Sequence, residues 1–175
     1  MADQNPDDAA PEGLVEGAAD APQAGAIAQY IKDLSAESPS APQVFQWQDQ
    51  PSLDVQFGLN GGKVADEVHE VILKIEVTAK SDKGTHFIVD LTYAGLFGFR
   101  NVPEEALAPF LLVEGPRLLF PFARQIIAEA VQNLGFPPLL LDPIDFGAAY
   151  VAQLEAQQQA QGQPGGDGEP PVGHA

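Results

Sequence analysis

Apolar and polar residues alternate with period two through the first half of the chain, the spacing that sends successive side chains to opposite faces of a strand. Ala28, Tyr30, Lys32 and Leu34 oppose Gln29, Ile31, Asp33 and Ser35; beyond a Pro-rich stretch, Leu53, Val55, Phe57 and Leu59 form an apolar set. The following LNGGK reads as a hairpin turn, since Asn and Gly accept the positive backbone angles such turns need. A third strand is predicted over about residues 67–80, with Val71, Leu73, Ile75 and Val77 opposite Glu70, Ile72, Lys74, Glu76 and Thr78. SDKG then turns the chain into a fourth strand, in which Phe87, Val89, Leu91 and Tyr93 alternate with Ile88, Asp90 and Thr92. Connections this short favour an antiparallel sheet with one apolar face and one acidic face.

The second half changes period. From Pro103 to Leu134 the pattern is helical, with Pro103 and Glu104 suited to a first turn and Gly135 to a C-terminal cap. Pro116 can open a second helix, and Pro121 should kink or break the ladder, so one straight helix is not expected. After the proline-stiffened GFPPLLLDP loop, a last helix is predicted from Asp142 or Pro143 through Phe146, Tyr150 and Leu154. The predicted class is α+β: a four-stranded antiparallel sheet followed by two or three helices.

A chain of 175 residues, 45% of them hydrophobic, fits one globular domain. That domain is predicted over residues 26–154. Residues 1–25, rich in Ala, Asp, Glu, Pro and Gly, and residues 155–175, rich in Gln, Gly and Pro, read as disordered tails. The formal charge is −17, and residues 26–154 alone set 8 basic residues against 16 acidic ones, a net −8. Such a surface repels phosphates and anionic headgroups, which disfavours nucleic acid and membrane surfaces and favours a cationic partner. The absence of cysteine removes disulfides, thiolate metal sites and cysteine nucleophiles from consideration. The first twenty residues hold no Lys or Arg and no apolar stretch of the secretory-signal kind, and no run of ~18 consecutive apolar residues marks a membrane span. A cytoplasmic protein is expected.

Catalysis has little support. His69, His86 and His174 stand apart, without the converging partners that acid–base or metal chemistry needs. Nucleophile-elbow, phosphate-loop, zinc-helix and dinucleotide signatures are missing, Glu104 and Glu105 read as first-turn charges, and Gly61 with Gly62 reads as a turn. No enzyme, catalytic residue, metal or cofactor is therefore expected. The aromatics say more: Phe97, Phe99, Phe110, Phe120, Phe122, Phe136 and Phe146 gather where the strands end and the helices begin. Core packing explains the helical ones. Phe97, Phe99, Phe136 and Leu139 to Leu141 fall in glycine- and proline-rich loops, where apolar groups are costly to expose unless something covers them. A groove of such residues would bind apolar segments of many sequences, because burial at ~25 cal/mol per Å² is non-directional. On the polar parity, Asp33, Glu37 and Asp90 lie together with Ile88, which is either a solvated face or a docking surface.

The segments PSAPQVFQ, QPSLDVQFGLN, DEVHEVILKIEVTA, FIVDLTYAGLF and LLFPFARQIIAEAVQNLGFPPLLLDPIDF, in that order, closely resemble the SecB family of bacterial export chaperones over about residues 27–154. The resemblance implies a dimer of dimers, a homotetramer without cofactor or nucleotide cycle. It would hold unfolded precursor proteins in hydrophobic grooves and deliver them to the motor ATPase SecA. It places SecA contacts on Asp33, Glu37, Ile88 and Asp90, which would meet SecA's basic, zinc-bearing C-terminal segment, the zinc belonging to SecA. It lines the client groove with Leu53, Val55, Phe57, Phe97, Phe136, Leu139, Leu141 and Phe146. The chain departs from the family in a longer acidic N-terminal segment, a displaced Trp47 and the lack of cysteine. Sequence pattern does not divide groove residues from subunit-interface residues, and a ligand-binding pocket or a purely structural oligomer would use the same aromatics.

Overall fold

The computed structural model describes residues 21–161. Strands β1 (Gln23–Glu37), β2 (Ser52–Ala65), β3 (Val68–Ser81) and β4 (Gly84–Arg100) form one antiparallel sheet in the order β1-β4-β3-β2, a Greek-key arrangement. The β2–β3–β4 meander is closed by two tight turns. β1 lies against β4, so residues 38–51, which include a 3-10 turn at Gln43–Gln46, must carry the chain from one sheet edge to the other.

The registers turn the period-two pattern into rows. One face carries Ile31–Tyr93–Leu73–Leu59, Leu34–Leu91–Ile75–Phe57 and Ala36–Val89–Val77–Val55. The other carries Asp33–Thr92–Lys74–Gly58, Ser35–Asp90–Glu76–Gln56 and Glu37–Ile88–Thr78–Asp54. Helices then close the apolar face: α1 (Glu104–Pro109), a π turn (Phe110–Glu114), α2 (Gly115–Asn133) and α3 (Phe146–Gln161). Leu119, Ala123, Ile127 and Val131, one residue every four, are all 0% accessible. They form the stripe that α2 presses onto β3 and β4.

Glycine makes that approach possible. Gly95, Val71 and Gly61 form the next row of the apolar face. A Cβ on Gly95 would lie 2.8 Å from Leu119, one on Gly61 3.3 Å from Leu111, and one on Gly115 2.9 Å from Val71. This corrects the reading of LNGGK. Asn60, Gly61 and Gly62 are strand residues within β2, and the turn falls at Asp66–Glu67, where Glu67 takes a positive φ of 57°. In the same way β4 continues to Arg100 through Gly95 and Gly98, so Phe97 and Phe99 are strand residues and not loop residues. A bulge at Lys32 breaks the strict alternation expected in β1: Tyr30 pairs with Ala94 and Asp33 with Thr92, which puts both on the polar face.

The helical half keeps its predicted punctuation in altered form. The Gly115 N–H bonds Phe110 O, five residues back, and Pro116 has no N–H with which to restore the tighter ladder, so the chain passes through a π turn. Pro121 lies inside α2 near its start, without ending it. Gly135, at φ 92°, closes α2 as a C-terminal cap: its N–H reaches Gln132 O and the Phe136 N–H reaches Val131 O. The last helix starts later than expected, at Phe146, because the Asp145 side chain accepts the Ala148 N–H at 2.9 Å and sets the cap there. Residues 104–133 form a continuous helical run of 30 residues, long and apolar enough by length and composition to cross a membrane. Here its buried stripe closes the sheet. β1 takes in Gln23–Gly25 and α3 takes in 155–161, while residues 1–20 and 162–175 of the predicted tails, with His174, lie outside the described residues.

Candidate functional site: an apolar trough and a polar sheet face

α2 covers the middle of the sheet and leaves both edges of the apolar face open. On the β2 side, Leu53 and Phe57 stay 48% and 42% exposed. Beside them runs the proline-stiffened segment that follows the Gly135 cap. Between strand and segment lie two adjoining cavities of about 400 and 410 Å³, which share Leu53 and Leu139. The first is walled by aromatic rings. Phe136 stands 5.5 Å from Phe45 and 5.1 Å from Phe87, and Trp47 meets His86 edge-on at 5.1 Å. The second is mainly aliphatic, with Val55, Leu140, Leu141 and Ile144 along it beside Phe57. Together they make an open trough fit to take apolar side chains of an extended segment.

The opposite face is polar. Asp33 and Glu37 on β1 are exposed, Ile88 and Asp90 stand beside them on β4, and Glu76 and Asp54 continue the acidic character across β3 and β2. With strands ~4.8 Å apart, β1 to β3 spans ~10 Å. The Glu37 carboxylate accepts the Ser35 hydroxyl at 3.1 Å. Lys74 Nζ lies 2.5 Å from Glu76 and 3.4 Å from Asp90, and these hydrogen bonds, the one to Glu76 first, push its pKa up. Further along the same face the Tyr30 hydroxyl donates to Glu70 at 2.5 Å, and Lys32 reaches both Glu70 oxygens at 3.0 Å. Tyr30's hydrogen bond holds the Glu70 carboxyl below its ordinary range, with help from Lys32, while Tyr30 is pushed up to about 12.

The structure brings together Asp33, Glu37, Ile88 and Asp90 on one surface. Of the predicted groove residues it brings together Leu53, Val55, Phe57, Phe136, Leu139 and Leu141 along the trough. Phe97 and Phe146 are elsewhere. Phe97 is 0% accessible, sealed between β3, β4 and Phe110, and Phe146, at 3%, packs edge-on against Phe120. Neither offers surface to a ligand in this fold. Leu141, 6% accessible, forms the floor of the trough and not its rim. Sequence reasoning missed Phe45, Trp47, His86 and Ile144. The first two lie on the edge-to-edge connection, whose position depends on strand order. Among the described residues, no group of three or more His, Asp or Glu could hold a metal ion, and His86 instead bonds Ser81 at 2.9 Å.

A family model described as preprotein translocase subunit SecB matches residues 17–158. The chain is 56% identical to a protein-export protein SecB of Sphingopyxis alaskensis over 154 residues, covering 88% of this chain and 87% of that one. It is 51% identical to the protein of the same name from Novosphingobium aromaticivorans over 152 residues, covering 86% and 88%. In structure it is similar to a SecB-like chaperone of Mycobacterium tuberculosis solved in complex with a ChAD peptide from an antitoxin. There the TM-score is 0.58 at 19% identity, covering 69% of this chain and 90% of that one, a likeness of fold.

Proposed function

Because the chain belongs to the SecB family of protein-export chaperones, we propose that it is a cytoplasmic, ATP-independent holdase that keeps unfolded precursors in its trough and delivers them to SecA through its acidic sheet face. The observation that carries this reading is the trough itself, two adjoining open cavities lined by aromatic and aliphatic side chains. Occupancy by many sequences follows from such a lining, because apolar burial has no directional requirement and each pocket accepts any side chain of suitable size. The similar fold from Mycobacterium tuberculosis carries a peptide, which is the class of occupant proposed here.

Delivery rests on charge. Glu37 pairs with the apolar Ile88, 36% exposed, and Asp90 and Asp33 follow along the same face, a combination suited to a basic segment with one apolar anchor, such as SecA's zinc-bearing C-terminal segment. Association there is electrostatic and weakens with salt. The homotetramer, a dimer of dimers, is proposed for the other open edge. Ile31 and Leu34 on β1 and Leu118 and Phe122 on α2 are 41–49% exposed, more apolar surface than a lone subunit keeps in water at low cost. Apolar surface on the β2 side is thus assigned to clients and that on the β1 side to a second copy.

The test is suppression of aggregation of a reduced, unfolded protein without nucleotide, measured by light scattering. The holdase reading expects suppression near one assembled particle per client. Scattering that rises as fast with the protein as without it would overturn the reading. For delivery, Asp33→Asn and Glu37→Gln should each weaken a complex with a synthetic peptide of SecA's C-terminal segment and reduce its salt dependence, with client binding unchanged.

A further inference from the structure

The polar face contains its own cation at its centre. Lys74 sits opposite Thr92 on β4 and Gly58 on β2. The ammonium leans one row along the sheet to Glu76 at 2.5 Å and Asp90 at 3.4 Å. Glu76 and Asp90 are register partners on β3 and β4, and Ser35 of β1 faces Asp90 from the other side. One Asp90 oxygen takes the ammonium, and the other is buried with no hydrogen-bond partner. A buried, unpaired carboxylate oxygen is an acceptor still to be satisfied.

We infer that Lys74 is an internal counterion of the docking face: it occupies Asp90 and Glu76 in the free protein, an incoming cationic segment displaces it, and Glu76 is a further contact residue of that face. This rests on the docking reading above. Displacement is cheap because the pair is half exposed, and exposed ion pairs are weak and screened. A guanidinium offers what Lys74 cannot, a planar fork of donors able to span Glu76 and the Asp90 oxygen that Lys74 holds in the free protein. The counterion therefore favours arginine-bearing segments and discourages weakly charged ones. The acidic surface would otherwise attract any cation, so Lys74 sets selectivity as well as affinity.

The test uses the full-length chain and a fluorescent synthetic peptide of SecA's C-terminal segment, loaded with zinc, followed by anisotropy at fixed salt. Lys74→Gln should tighten binding about threefold to tenfold, the size expected when two carboxylates lose a weak internal partner. Adding Glu76→Gln to Lys74→Gln should reverse most of that gain. Lys63→Gln removes the same charge from the far end of the sheet and should change affinity less than twofold. Equal tightening by Lys63→Gln would reduce the effect to net charge and sink the counterion role. Unchanged affinity for Lys74→Gln, with Asp33→Asn still weakening the complex, would overturn the inference and leave the docking reading standing. Unchanged affinity for Asp33→Asn would remove the docking reading itself. An unaltered near-ultraviolet spectrum of Lys74→Gln confirms that the comparison is between folded proteins.

Discussion

Truncating Leu53 and Phe57 together tests the trough most directly. Both point from the edge strand β2 into the aliphatic cavity, and they are 48% and 42% exposed. Full burial of such a side chain is worth about 1.5–3 kcal/mol. The fold already buries about half of each, so a client can add only the rest, about 1 kcal/mol per side chain. The two lie four residues apart on one strand, ~13 Å, far enough for their losses to add. The double variant Leu53→Ala/Phe57→Ala should therefore lose ~2 kcal/mol, about thirtyfold in affinity for an unfolded chain at one trough. Several troughs engaged by the same client would enlarge the loss through effective concentration. The assay is competition for a labelled, reduced and carboxymethylated protein, with native mass measured alongside. Affinity within threefold of wild type, at unchanged mass, would show that clients do not occupy the β2 edge.

Three further perturbations probe the frame around the site. Gly95→Ala should lower the melting temperature in calorimetry, since its Cβ would meet Leu119 at 2.8 Å and Phe97 at 2.9 Å, an overpacking of about 1–3 kcal/mol; an unchanged melt would mean that α2 is free to shift. Asp145→Ala should cost about 1 kcal/mol and speed amide exchange at Ala148, whose N–H the carboxylate caps. The Tyr30–Glu70 pair gives opposite signs at the two ends of the pH scale. Glu70, lowered in the fold, adds stability above its ordinary pKa of 4.5 that is lost as pH falls through its folded value; Tyr30, raised from 10.0 to about 12, adds stability below 10 that is lost as pH rises towards 12. Tyr30→Phe should flatten both limbs of the urea midpoint against pH, and limbs of unchanged slope would refute the coupling.

How far the sequence carried depends on what each residue type answers to. β3 and the first half of β4 were legible to the residue, because a side chain's face there depends only on position along the strand. The outward set Asp33, Glu37, Ile88 and Asp90 followed from the same rule. The bulge at Lys32 was not legible: a strand slips register in response to its neighbour, and β4 is more than fifty residues away in sequence. Gly61 and Gly95 misled because glycine serves two ends, a turn that needs positive φ and a helix that needs an uncluttered floor, and only the position of α2 decides between them. Phe97 was assigned to the groove by its flanking residues and Phe146 by the family resemblance alone, yet burial of a phenylalanine is set by the helix that lands on it. Trp47 and Phe45 entered the trough through strand order, which a one-dimensional pattern does not contain.

The placement of the two surfaces constrains any handover between them. They occupy opposite faces of one sheet, with the trough at the β2 edge and Asp33 and Glu37 on the far strand β1, three strand spacings or ~14 Å across. Two ligands so placed do not compete for atoms, so the geometry permits client and motor segment to be held at once, as the proposed delivery requires. Release then needs a path through the sheet. The shortest one runs through the row Asp90–Glu76–Gln56, because Gln56 lies between Val55 and Phe57, which face the trough from the same strand. A cation drawn to Glu76 acts one strand away from the client and one at Asp90 two, whereas one held only at Asp33 and Glu37 acts three strands away. On this reasoning Glu76→Gln should slow client release by the motor segment more than it weakens the segment's binding. Asp33→Asn should lower both in proportion, since its effect passes through occupancy alone.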